Sequence, residues 1–380
     1  MRLEPSDEQR QILDSVNRFM AGQLPPAETR RRDREQDPPY HLLRSMGDVG
    51  FIAAPFPEAV GGLGRPWTTV VLMQERMASL GLMAASLFTR TVTFGGMALM
   101  SYGSEAQKQA LMPALIRGEL LFAFALTESG AGTDAAAIET RAERHDGGWR
   151  LNGRKTWISD ADRADYIIMP CRTGPRGGGK HGISMFLVPR SSAGLHMSVL
   201  PKAGHNCMPS WDVGVEDVLL PDDALMGELG AGMRHMQSTL HFARAGQAAS
   251  AVGQAQAAVD LALEHAKTRR QFGQALGNFQ VIAHMLADMQ TRVDLARLML
   301  YHLASLIDAG LPCRKESAQA KLTAAEAFHF IADRGMQIMA SAGYSLDSDM
   351  QRYWRDSRLY MFGEGPVELQ RNLIAREMGL

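Results

Sequence analysis

The chain has 380 residues, 46% of them hydrophobic and 21% charged, enough for two or three domains or one large composite, with a large buried core. Forty Lys and Arg stand against 41 Asp and Glu, a formal net charge of −1 with no basic stripe, so neither nucleic-acid binding nor an acidic solvating tail is expected. Cys171, Cys207 and Cys313 lie far apart with no CxxC pair, which argues against a disulfide framework or a cysteine zinc site. Residues 1–10 lack the apolar core of a signal peptide, and no run of about 18 apolar residues occurs; no membrane span and a cytoplasmic location are expected.

Residues 1–121 read as an N-terminal helical domain. Ser6, Asp7 and Glu8 open an amphipathic run from Gln9 to Met20, and helical patterns follow a Pro/Gly-rich connection at Thr68–Ser79 and Ser86–Met100. Residues 122–226 read as a β domain. The stretch 138–144, a His145–Gly148 turn and 149–153 form a strand–turn–strand pattern, continued at 155–159, 165–169, 181–188 and 210–215. Arg172–Lys180, with its glycines and proline, reads as a flexible hairpin tip. Residues 227–380 return to helical period, with helices expected at 232–268, 279–309, 315–340 and 367–376. This order is not a nucleotide-binding α/β fold; Gly61, Gly62 and Gly64 sit in a loop with no strand before them.

Four stretches carry chemistry. FALTESGAGTD, residues 124–134, frees backbone N–H groups that can wrap a phosphate or a heteroaromatic ring; it can equally be an interdomain turn. NGRKTWISDADRADY, residues 152–166, sets Trp157 and Ser159 two apart, so on a strand they share a face; a buried core Trp is the plainer reading. TRRQFG, residues 268–273, ends a helix with two arginines, which suit the helix dipole and also a pyrophosphate. In MFGEGPVELQRN, residues 361–372, Glu364 stands between two glycines beside Tyr360, Met361 and Phe362; it is either a helix-start acid or a carboxylate with a task.

In this order and spacing the stretches resemble the acyl-CoA dehydrogenase family of FAD-dependent enzymes, over essentially the whole chain. AKLTAAEA (320–327), QIMASAGYSLDSDMQRYWRDSR (337–358) and GEGPVELQRNLIAR (363–376) extend the likeness. The resemblance implies a helical domain, a central β-barrel-like domain and a C-terminal four-helix bundle, usually assembled as a homotetramer. It implies that FAD is held by Phe124, Leu126, Thr127, Gly132, Thr133, Trp157 and Ser159, with Pro366 and Glu368 nearby. Arg269, Gln271, Phe272 and Gln280 should reach the FAD of a neighbouring subunit, and Gln337 and Ser341 its adenosine diphosphate. Thr133, His241, Arg244, Glu364 and Gly365 should meet the acyl-CoA. Glu364 matches the base that removes the α-proton while the β-hydrogen leaves as hydride to the flavin, and electrons pass on to an electron-transfer flavoprotein. The alternative base position, before Arg244, is Ala243.

The chain departs from fatty-acid members at three places. Pro366 replaces a threonine, Ala340 and Ser341 replace a glycine pair, and His241 replaces an acid, which leaves an acyl group on a carrier protein as an alternative substrate. Arg90 either pairs with a substrate carboxylate or lies at the surface, and the surface is the expected place. A flavin oxidase or monooxygenase and a non-catalytic DNA-associated relative are the competing functions; Glu364, the chain length and the balanced charge count against them.

Overall fold

The computed structural model describes residues 4–175 and 178–380. The N-terminal helices are α1 (Asp7–Gln23), α2 (Pro26–Glu35), α3 (His41–Asp48), α4 (Trp67–Leu80), α5 (Leu82–Thr89), α6 (Met97–Tyr102) and α7 (Glu105–Ile116). Ser6 caps α1 through a capping box: its hydroxyl accepts from the Gln9 N–H at 3.2 Å, and the Gln9 side chain accepts from the Ser6 N–H at 2.9 Å. Between α5 and α6 the backbone is π-helical over Arg90–Gly96. The rod Leu82–Tyr102 is long and apolar enough to cross a membrane, yet 83% of its apolar window is buried inside the protein, as befits a core helix.

The strands are β1 (Phe122–Phe124), β2 (Arg141–His145), β3 (Gly148–Ser159), β4 (Tyr166–Arg172), β5 (Ile183–Pro189), β6 (Leu195–Leu200), β7 (Ser210–Pro221) and β8 (Leu225–Met226). They form one eight-stranded sheet in the order β6-β7-β3-β2-β4-β5-β8, with β1 parallel to β4. β2 and β3 pair as an antiparallel hairpin whose turn holds Asp146 and Gly147 at positive φ, as an Asp-Gly pair favours. β6, absent from the sequence reading, pairs with β7. The glycine-rich tip expected at 172–180 falls partly on residues 176–177, outside the described residues.

The C-terminal part holds α8 (Gly232–Thr268), the short hairpin β9 (Arg270–Gln271) and β10 (Gln274–Ala275), α9 (Gln280–Asp308), α10 (Arg314–Met339), α11 (Ser341–Tyr344), α12 (Asp349–Phe362) and α13 (Val367–Glu377). Alanines and glycines on α8 let other helices approach closely: a Cβ on Gly253 would lie 2.2 Å from the Glu75 carbonyl of α4. The sequence reading has no helix at α12, whose buried side mixes Met350, Tyr353 and Tyr360 with Gln351, Arg352, Asp356 and Ser357, so that polar residues interrupt its apolar stripe.

Two apolar cores result. One is continuous through the N-terminal helices and the bundle, and the other lies within the sheet around Trp149, Ile158 and Phe186. Phe124 and Leu126, at the end of β1, pack against the helical core rather than the sheet core. The stretch that follows β1 thus sits where the sheet meets the helices.

Candidate active site

A cavity of about 980 Å³ opens at that junction. Phe124, Leu126 and Thr133 line it from the sheet side, and His241, Ala243 and Arg244 from α8. Thr93 and Phe94 of the π-helical segment close another wall, and Phe94 lies against Phe124 with ring centroids 5.6 Å apart. The sequence-expected Phe124, Leu126, Thr133, His241 and Arg244 therefore share one cavity. Burial, with Arg244 adding to it, lowers the basicity of His241, so the ring on the cavity wall is neutral near pH 7.

The glycine-rich loop after β1 is built on a buried charge that sequence reading did not single out. Lys155, fully buried in β3, donates from Nζ to Glu128 Oε1 at 2.8 Å, to the Pro170 carbonyl at 2.8 Å and to the Leu126 carbonyl at 3.3 Å. Glu128 also accepts the N–H groups of Glu139 at 2.7 Å and Thr140 at 3.1 Å. The Thr156 N–H donates to the Thr127 carbonyl at 2.9 Å and docks the loop on β3. Just there the pairing of β3 with β7 slips between Lys155 and Ile158. This bulge turns Lys155 inward and leaves Trp157 outside at φ 61°, 55% exposed. Trp157 is thus not the buried core Trp that the plainer reading expected; Trp149 is. Ser159 closes β3 with its side partly open, and Gly132 and Thr133 are exposed.

Glu364 lies between α12 and α13. The Gly363 N–H ends α12 on the Leu359 carbonyl at 2.7 Å, and Pro366 is the N-cap of α13. In between, Glu364 takes φ 53° and Gly365 φ 93°. The first is a left-handed backbone unusual for a glutamate, the kind of strain that functional sites hold. Glu364 retains part of its surface, but its Oε2 is buried and, among the described residues, has no hydrogen-bond partner. Burial pushes its carboxyl up to about 8, against the pull of the Lys321 and Arg244 cations. Arg244 is itself buried, donates to the Ser317 hydroxyl at 3.1 Å and is lowered to about 10, chiefly by burial. Glu364 does not line the cavity; it lies within electrostatic reach of Arg244, which does. A helix-start acid would be solvated. Glu368, in the first turn of α13, is the exposed acid there.

The remaining expected residues gather elsewhere. Arg269, Gln271, Phe272 and Gln280 are exposed where α8 passes through the β9–β10 hairpin into α9, and Phe272 is 93% exposed at φ 49°. Gln337 and Ser341 are exposed at the end of α10. Ala340 between them holds φ 49°, a backbone a glycine would take without strain.

Arg90 departs from both readings. It is buried, and its guanidinium lies 2.5 Å from Asp160 Oδ2. Tyr40 donates to the other oxygen of Asp160 at 2.8 Å. Arg90 is neither at the surface nor free for a substrate, because Asp160, directly after Ser159, already holds it.

Models of the acyl-CoA dehydrogenase N-terminal, middle and C-terminal domains match residues 6–119, 123–218 and 230–379. The chain is 35% identical, over the full length of both, to a Bacillus subtilis protein named Probable acyl-CoA dehydrogenase YngJ. It is 34% identical to the caffeyl-CoA reductase-Etf complex subunit CarC of Acetobacterium woodii, over 89% of each chain. A glutaryl-coenzyme A dehydrogenase solved with glutaryl-CoA superposes with a TM-score of 0.95 at 32% identity, covering 100% of this chain and 96% of the other. The chain belongs to the acyl-CoA dehydrogenase family, with that family's three-part fold, and is an oxidoreductase acting on CH–CH bonds.

Family members use FAD. The residues present fit such a group. Trp157 offers an open indole face beside the bulge, and a Cβ on Gly130 or Gly132 would meet nothing within 4 Å, leaving room at the loop. Arg269, Gln271 and Phe272 are exposed, and the Arg269 guanidinium is of a kind that suits a pyrophosphate.

Proposed function

We propose that this protein oxidises an acyl-CoA thioester to its 2-enoyl-CoA, with Glu364 as the general base, FAD as hydride acceptor and an electron-transfer flavoprotein as the next electron carrier. The observation that carries the reading is the Glu364 carboxyl: on a strained backbone, part-buried, raised to about 8, and with one buried oxygen that has no hydrogen-bond partner among the described residues. A carboxylate in that state is a stronger base than a solvated one.

When bound, FAD supplies the acceptor for the β-hydrogen. Glu364 takes the α-proton, and that C–H electron pair becomes the second Cα–Cβ bond as the β-hydrogen departs with its own pair. The Glu364 N–H, presented by the tight turn, is suited to hold the thioester oxygen as negative charge develops there. Phe94, Phe124 and Leu126 keep the acyl chain out of water. Lys180, Arg314 and Arg376 also line the cavity, and their charge suits the phosphates of CoA. Trp157, Thr127 and Ser159 are assigned to the flavin ring, with Pro366 and Glu368 close to it. Arg269, Gln271, Phe272, Gln280, Gln337 and Ser341 are assigned to the distal half of FAD in a tetramer.

Glu364→Gln tests the assignment. It keeps size and turn but removes basicity. The variant should hold FAD and bind substrate, yet bleach the flavin about 10²–10⁴-fold more slowly in anaerobic rapid mixing with a panel of acyl-CoAs. Bleaching at the wild-type rate would remove Glu364 as the base.

A further inference from the structure

The turn that carries Glu364 is held at both ends by one buried lysine. Lys321 lies in the first half of α10, among buried alanines, and is 2% exposed. Its Nζ donates to the Tyr360 carbonyl in the last turn of α12 at 3.0 Å, and to the Gly365 carbonyl at 2.7 Å. These two carbonyls bracket residues 361–364. Gln370 of α13 donates to the same Gly365 carbonyl at 3.1 Å. Among the described residues Lys321 has no carboxylate within salt-bridge distance, and two of its three donors serve backbone carbonyls. Holding two carbonyls would need only a neutral donor. A buried cation is costly and calls for a counter-charge.

Resting on the reading of Glu364 as the base, we propose that Lys321 is the positioning residue of that base: it clamps the strained turn and supplies the positive charge against which the carboxylate ionises. The charged and titratable groups around the pair come from four elements. Arg244 on α8 also favours ionised Glu364 and opposes charge on Lys321. Glu368 on α13 weakly favours the lysine charge, and Tyr360 on α12 is a buried phenol raised further by Glu364. Lys321 lies on α10. Burial lowers its ammonium to about 8, so it and Glu364 exchange charge in the same pH range and titrate as a pair.

The sign follows. Without the lysine charge, burial acts on Glu364 less opposed and its pKa rises. Loss of an opposite charge close to a carboxyl moves it by about 1–3 units. In the FAD-loaded protein, Lys321→Gln keeps a donor for the carbonyls but not the charge. Infrared titration of the protonated carboxyl band, assigned by its loss in Glu364→Gln, should show the midpoint about one unit or more higher. Flavin bleaching at pH 7 should slow about tenfold or more and recover as pH rises. Lys321→Arg, which keeps the charge, should hold the midpoint near the wild-type value. A folded Lys321→Gln with unmoved midpoint and pH profile would overturn the proposal. If Lys321→Gln does not fold, the same coupling is read from the other side. In protein labelled with ¹³C at lysine Cε, with the signal assigned by its loss in Lys321→Arg, Glu364→Gln should lower the Lys321 midpoint by about one unit or more. No change there would equally overturn the proposal. Normal bleaching in Glu364→Gln would instead reject the base assignment, whatever the titrations show.

Discussion

Removing Arg90 should cost far more than removing a surface arginine. Asp160 has no exposed side-chain surface and Arg90 very little, and the pair is completed by the Tyr40 hydroxyl. Asp160 sits at the end of β3 with φ 54°, and Arg90 at the start of the π-helical segment whose Thr93 and Phe94 line the cavity. The ion pair therefore joins the sheet to one cavity wall. In Arg90→Met the carboxyl stays buried with only Tyr40 as partner. Stripping one member from a buried pair costs about 3–5 kcal/mol. Burial already pushes Asp160 up, and the Arg90 cation is the main force holding it down, so the variant's folded carboxyl should titrate well above its unfolded value. A group of this kind favours the folded state fully below the unfolded pKa, and that advantage is lost as pH rises through the folded pKa. The deficit should thus be small near pH 4 and grow toward neutrality. Arg90→Met combined with Asp160→Asn leaves a neutral amide beside Tyr40 and should recover most of the loss. The assay is urea unfolding of wild type, both single variants and the double variant at several pH values, at fixed protein and FAD concentrations. An Arg90→Met protein within about 0.5 kcal/mol of wild type at pH 7, or a deficit that Asp160→Asn does not relieve, would refute a structural role for the pair.

Two further predictions concern Arg269 and the loop after β1. Arg269→Ala should weaken FAD retention by about ten- to a hundredfold, the worth of one charge-assisted contact of roughly 1.5–3 kcal/mol, as measured by flavin release on dilution; unchanged retention in a protein that is still oligomeric would make Arg269 a helix-end charge only. Lys155→Met should strand Glu128 inside the sheet, cost about 3–5 kcal/mol in urea unfolding, and speed amide exchange of Glu139 and Thr140, whose N–H groups Glu128 accepts; slow exchange at both amides would show that the loop does not depend on the lysine.

Much of the chain was legible because its signals are local. The Ser6–Gln9 capping box, the Asp146–Gly147 turn and the long periodic runs of α8, α9 and α10 declare themselves within a few residues. Others carried no such signal. β6 is an edge strand with no fully buried residue, and α12 buries polar side chains among Met350, Tyr353 and Tyr360, which interrupts the apolar face that would have marked it. Trp157 breaks the simple alternation because it lies within a bulge, where the register slips between Lys155 and Ile158.

By itself the sequence determined the order of helical, β and helical parts, and the motifs that identify an acyl-CoA dehydrogenase. It also set Glu364 between two glycines, a placement that lets the chain turn sharply enough to hold a strained acid. The tertiary structure alone decided which charges are buried and what they meet. Arg90 finds Asp160 some seventy positions on, Lys155 finds Glu128 across the base of a loop, and Lys321 reaches two carbonyls at the other end of the C-terminal part. Nothing near these residues in sequence marks them, because their surroundings are water until the chain folds. Only when distant elements exclude that water does a charge need a partner, and only then does a carboxyl such as that of Glu364 leave the ordinary range.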